Sequence, residues 1–137
     1  MTPTIRIAQA RDIAGVLALW QLARVHPGHT DDVQSLQRLV RHDAGALLVA
    51  TADGLIVGSV IAAWDGWRGT IYRLAVLPAW RRQGLGRRLI AAAEKRLADI
   101  GAVRIQAIVV EADAHAAGFW RASGWEERAG QHRFTRG

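Results

Sequence analysis

Residues 74–89 read Leu74-Ala75-Val76-Leu77-Pro78-Ala79-Trp80-Arg81-Arg82-Gln83-Gly84-Leu85-Gly86-Arg87-Arg88-Leu89. An apolar run stops at Pro78, a loop with two glycines follows, and apolar residues then recur at spacings of three and four. These are Leu85, Leu89, Ile90, Ala93, Leu97 and Ile100, closed by Gly101. The stretch predicts a buried strand over 70–76 feeding a long amphipathic helix from Gly84. Glycine lets main chain approach a ligand, and the first helical turn offers unpaired N–H groups at the positive end of the helix dipole. That combination is an anion site made of backbone. Arg81, Arg82, Arg87 and Arg88 crowd into eight residues around it, while the other arginines are scattered. A compact cluster suits a phosphate group better than a duplex, which needs a stripe of cations.

Working outward, Ile5-Arg6-Ile7-Ala8 alternates like a short strand. Asp12 is placed to cap a helix carrying Ile13, Val16, Leu17, Trp20 and Ala23 on one stripe. His26-Pro27-Gly28-His29-Thr30 breaks it. A second helix follows, capped by Thr30, Asp31 or Asp32, with Val33, Leu36, Leu39 and Val40 on its apolar side, ending near Gly45. Ala46–Ala50 reads as a strand, Asp53-Gly54 as a two-residue hairpin turn, and Leu55 to Trp64 as the return strand, with Gly58 inviting a bulge. After Gly101, Val103 to Val110 is another β-rich run, Asp113 opens a short helix through Ser123, and Gly124 closes it. Trp125–Arg128 and His132–Thr135 are expected to pair as a last hairpin. The order β-α-α-β-β-β-α-β-α-β-β predicts one α+β domain over 1–137, with a mixed sheet between helical layers.

Composition narrows the function classes. The chain has 137 residues, half of them hydrophobic and 22% charged, which excludes a disordered polyelectrolyte. The absence of cysteine excludes a disulfide scaffold, a thiol nucleophile and cysteine-ligated metal centres. No apolar run approaches the ~20 residues of a membrane span, and residues 1–6 lack the apolar stretch of a signal peptide, so a cytoplasmic location and no membrane partner are expected. The net charge of +6, carried by arginine except for Lys95, points to a polyanionic partner. His26, His29, Asp31 and Asp32 match no zinc spacing and lack a catalytic glutamate, so no metal is expected.

Two familiar phosphate loops fail on residues 81–89. A Walker loop needs Gly-Lys-Ser/Thr, but Gly86 is followed by Arg87-Arg88. A dinucleotide fingerprint needs a third glycine where Leu89 stands. Arg81-x-x-Gly84-x-Gly86 instead resembles the coenzyme A pyrophosphate loop of the GNAT N-acetyltransferases. Val76-x-Pro78 precedes it at the family's distance. Asp113-x-x-Ala116-x-x-Phe119-Trp120-x-x-x-Gly124-Trp125 is similar to the family's Asn-x-x-Ala-x-x-Phe-Tyr-x-x-x-Gly-Phe segment, and Asp65-Gly66-x-Arg68-Gly69 resembles small single-domain bacterial members.

The resemblance implies a three-layer α+β fold with a mostly antiparallel, twisted sheet and a central pair of strands that splays apart. It implies acetyl-CoA as cosubstrate, without a metal. The pantetheine arm is expected in the splay, along Leu74, Ala75 and Val76 with bonds to Leu74 and Val76. The pyrophosphate is expected on the amides of Gln83, Gly84, Leu85, Gly86 and Arg87, and the ribose phosphate on Arg81 or Arg82. Asp113, Phe119 and Trp120 are expected beside the cofactor. The acceptor is an amine, on a small molecule or on a peptide or protein. The loop between the first two helices is expected to cover it, and homodimers are frequent among relatives.

The reaction requires a neutral amine, a polarised carbonyl and a proton for the leaving thiolate. Where many relatives carry a tyrosine donor this chain has Trp120, whose indole has no useful pKa. Tyr72, the only tyrosine, is the candidate substitute, expected on the same strand face as Leu74, with packing as its structural alternative. A glutamate base used by histone-modifying relatives is replaced by Thr70. Glu111 is the first candidate base, with an ion pair to Arg73 as its structural alternative. His115 and a water chain follow. The alternative function is an acyl-CoA-binding sensor or partner module with little catalysis. Nucleic-acid binding rests on charge alone and comes last.

Overall fold

The computed structural model describes residues 2–23, 25, 28–109 and 114–136. Five strands assemble in chain order into one sheet: β1 (Thr4–Ile7), β2 (Leu47–Ala52), β3 (Leu55–Trp64), β4 (Gly69–Val76) and β5 (Ile105–Ala107). All neighbours are antiparallel except β4 and β5, which run parallel. Asp53 and Gly54 both take positive φ, 51° and 77°, as the predicted tight turn between β2 and β3 requires.

Alternation along the strands supplies two apolar faces. Leu47, Val49 and Ile61 face α1 (Ile13–Leu22) and α2 (Val33–His42), burying Ile13, Val16, Leu19, Trp20 and Leu36. Leu48, Ala50, Val60, Ala62 and Ile71 face α3 (Leu85–Asp99) and α4 (Ala114–Ala122), against Leu85, Leu89, Ile90, Ala93, Leu97 and Trp120. The predicted class, helices on both faces of a mixed sheet, is the class observed. Among the described residues no helix is long and apolar enough to cross a membrane.

Three local expectations are corrected, and one is met. Among the described residues the β-rich run from Val103 forms a strand only over Ile105–Ala107, where it pairs with β4 through Ile71. The C-terminal hairpin is not formed among residues 125–136. That segment buries little besides Trp125, which stacks edge-on against Trp120, and its charges pair locally as Arg128–Glu126 and Arg121–Glu127. The bulge expected at Gly58 is present, since Val57 is the extra residue beside Gly58 opposite Ala50, and both face α3. Finally, Asp12 does not cap α1. Its carboxylate takes both Nη atoms of Arg6, at 2.8 and 3.0 Å, and the N–H of Gln9.

Asp12 is 8% exposed. The Arg6 hydrogen bonds, helped by the Gln9 N–H, hold its pKa at about 2 against an ordinary 3.8, although burial opposes them. A depressed carboxylate pKa stabilises the fold above the unfolded value, and the contribution is lost as pH falls towards 2. Arg6 is 36% exposed and water screens the pair. Asp12→Asn is therefore expected to cost about 1–2 kcal/mol at pH 7. The difference between variant and parent should shrink through pH 4–2 and vanish only below about pH 2, as read by urea unfolding across that range.

Candidate functional site

The turn after β4 is fixed by its neighbours. Leu77 N–H bonds to the Val57 carbonyl at 2.9 Å, and Pro78–Trp80 make one 3₁₀ turn. Arg82 and Gly84 then take positive φ, 63° and 79°, a run of conformations that turns successive N–H groups to one side. From Arg82 to Arg87, six consecutive main-chain N–H groups have no acceptor among the described residues. Arg88 is the first to find one, on the Gly84 carbonyl at 3.1 Å. A Cβ on Gly84 would meet nothing within 4 Å, so φ alone demands glycine there. Gly86 serves packing: a Cβ there would reach Phe119 Cζ at 3.0 Å, and its absence lets α4 close on α3.

Three of the four clustered arginines are tied to carbonyls. Arg81 donates to Val76 and Ala23, each at 3.2 Å, joining the end of β4 to the end of α1. Arg87 reaches Ala122 at 3.4 Å and Arg88 reaches Pro3 at 2.9 Å. Arg82 alone makes no side-chain hydrogen bond among the described residues. The sequence placed four guanidinium groups around one anion; the structure offers one uncommitted cation and six amides. A groove beside the turn runs between α3 and the end of α4, past Arg87, Ile90, Glu94 and Ser123.

Next to the turn the pairing of β4 with β5 is short. Among the described residues β4 and β5 pair only through Gly69–Ile71 with Ile105–Ala107, while β4 itself continues to Val76. Leu74 and Val76 side chains face α3 while Ala75 faces α1. Tyr72 does not share the face of Leu74. The register passes from Ile61–Tyr72 to Ser59–Ala75, so Arg73 and Leu74 together oppose Val60. That bulge, with Arg73 at φ 52°, inserts one residue and reverses the alternation. Tyr72 therefore stands beside Ile61 on the α1 side, 37% exposed.

The other expected residues separate in the same way. Thr70 is buried and accepts from Gln106 Nε2 at 3.2 Å. Trp120 is 9% exposed and belongs to the core, so its indole is a packing group, while Phe119 is only partly buried. Glu111 and Asp113 lie outside the described residues, and His115 falls within α4. Arg73 pairs with Asp31, Nε–Oδ1 2.9 Å and Nη2–Oδ2 3.1 Å, in the segment before α2. This pair was not foreseen. Its signal was present, as a lone arginine inside an otherwise apolar strand.

The acetyltransferase (GNAT) family model matches residues 13–125. Ard1 from Thermoplasma volcanium superposes with a TM-score of 0.82 at 22% identity, covering 94% of this chain and 86% of that one. The PaiA N-acetyltransferase from Thermoplasma acidophilum, in complex with coenzyme A, gives 0.82 at 16% identity, covering 96% and 94%. The aminoglycoside 6'-N-acetyltransferase AAC(6')-Ig from Acinetobacter haemolyticus gives 0.79 at 19% identity, covering 98% of each. The glycine turn after β4 and a family match over most of the chain agree: this chain belongs to the acetyltransferase (GNAT) family.

Proposed function

We propose that the chain, residues 1–137 acting as one domain, is an acetyl-CoA-dependent N-acetyltransferase that serves a primary amine by direct attack on the thioester. The observation that carries this reading is the run of six N–H groups, Arg82 to Arg87, that have no acceptor among the described residues, between the end of β4 and the start of α3. Successive amides on a helix N-terminus suit a pyrophosphate, and the open side of Gly84 leaves room for it. Arg82 takes the ribose phosphate in this reading, because Arg81 is already spent on two carbonyls. The edge of β4 opposite β3 accepts the pantetheine arm at Leu74 and Val76. Phe119, on Gly86, borders the same turn.

Acetyl-CoA supplies an acyl thioester open to amine attack. The chain's own residues bind, orient and exclude water. The thiol, with a pKa of about 8.5, is a tolerable leaving group even without a dedicated acid. Tyr72 belongs to the acceptor side of β4, where its phenol can serve an incoming amine or a proton wire, and Glu111 is the proposed base. Tyr72→Phe is expected to lower kcat about tenfold and to leave acetyl-CoA affinity unchanged. A pH–rate profile identical to the parent's would clear Tyr72 of proton transfer.

One observation favours a second reading, an acyl-CoA-binding module with little turnover. At two positions where relatives handle protons, Trp120 is core and Thr70 is buried against Gln106. Saturable acetyl-CoA binding without coenzyme A release, across amines, peptides and aminoglycosides, would select it. Coenzyme A release with any of these selects the enzyme.

A further inference from the structure

Arg73 is bonded in two directions at once. On the main-chain side, its carbonyl accepts from Ser59 Oγ at 3.0 Å, and Ser59 Oγ accepts from Trp20 Nε1 at 2.8 Å. Ser59 is fully buried, so this chain of bonds pins the bulge of β4 to α1. On the side-chain side, the guanidinium lies 5.7 Å from the Trp20 ring and takes both oxygens of Asp31. Gly28 fits against it: a Cβ there would come within 2.6 Å of Arg73 Nη2, and Gly28 N–H donates to Asp31 Oδ2 at 2.8 Å. Asp32 then caps α2 through Ser35 N–H at 2.7 Å. The bulge begins just past the last β4–β5 pair, Ile71–Ala107.

We propose that Arg73 is a positioning residue that carries the segment Gly28–Asp32 on the bulge of β4, so that donor strand and acceptor wall move as one. The tether stands on its own geometry; its use rests on the acyl-transfer reading above. A non-glycine residue at positive φ persists only where its surroundings over-determine it, and here the surroundings are Ser59, Trp20 and Asp31. An arm bonded to Leu74 and Val76 restrains the bulge from one side, and the fork of Arg73 hands that restraint to Asp31. Both ligands then favour one arrangement of the bulge, which is the condition for coupling between their sites. Lysine is no equivalent, because an ammonium lacks the planar fork with which Arg73 meets both oxygens of Asp31 at once.

Amide hydrogen exchange of residues 28–32, paired with an acetyl-CoA titration, tests this in the parent, Arg73→Lys and Asp31→Asn. In the parent, acetyl-CoA is expected to slow exchange at 28–32 by about fivefold or more. In both variants exchange without ligand should rise about tenfold, and acetyl-CoA should no longer alter it, while acetyl-CoA affinity moves less than about threefold. A pair that merely stabilises the fold would instead raise exchange across the chain. Parent protein that binds acetyl-CoA with no change at 28–32 overturns the proposal, as does a variant that keeps the parent's ligand-induced protection. If the parent does not bind acetyl-CoA, the acyl-transfer reading fails, and the ligand-free comparison with Arg73→Lys still decides whether Arg73 holds the segment.

Discussion

Gly84→Glu is expected to weaken acetyl-CoA binding by roughly 10²–10³-fold while leaving a folded protein. The new carboxylate would stand among the six amides that the proposed function gives to the pyrophosphate. Two like charges about 4 Å apart at an effective dielectric near 20 repel by about 4 kcal/mol, which is close to three decades in affinity. Folding suffers much less. No atom lies within 4 Å of the new Cβ, so the strain is that of an L-residue held at φ 79°, roughly 1–2 kcal/mol. Gly84→Ala carries the same backbone strain without the charge and should lose less than about tenfold in affinity. The difference between the two variants isolates electrostatics from conformation. Calorimetric titration gives both affinities and thermal melting gives both stabilities. Parent-like binding by Gly84→Glu would mean that the pyrophosphate does not use this turn.

Leu89→Ala is expected to have the largest effect on stability, about 3–4 kcal/mol. Leu89 is fully buried between α3 and the sheet, and its Cδ1 fills the notch left by Gly58, only 2.9 Å from where a Cβ there would sit. Gly58 is hemmed in further by the Ala75 carbonyl and Ala50, so the space cannot close by a small shift of side chains. The cavity should persist. For a chain of this size the melting temperature should fall by about 10–15 °C, and the urea midpoint should drop with the slope unchanged. Well below that melting temperature, acetyl-CoA affinity should stay within a few-fold of the parent, because the amides of the turn are set by Gly84 and Arg82 rather than by this contact. A loss under about 1 kcal/mol would show that α3 repacks freely on the sheet.

Much of the site was legible before any coordinates. Gly84 at a strand–helix junction needs positive φ wherever it occurs, and Pro78 ends a strand by removing a donor, so the turn and its exposed amides follow from local chemistry. The Asp53-Gly54 hairpin and the apolar stripe from Leu85 to Leu97 are equally local. The role of the clustered arginines was not. Arg81, Arg87 and Arg88 are adjacent in sequence to an anion site, but their side chains are long enough to reach the carbonyls of Ala23, Ala122 and Pro3, groups that other elements bring near.

What the chain's residue order determined by itself is its class, its layers and the glycine turn after β4, because periodicity, glycine and proline act within a few residues. What only the folded molecule decided is orientation. One inserted residue at Arg73 moves Tyr72 to the face opposite Leu74, and among the described residues β4 meets β5 in three pairs although the apolar run after Val103 continues. A bulge arises from the register between two strands, and here the bonds that hold it reach beyond the β3–β4 hairpin to Trp20 of α1. Its Ser59 finds Trp20 and the Arg73 carbonyl only once helix and sheet have packed, and those bonds hold the backbone of Arg73 where its sequence neighbours alone would not.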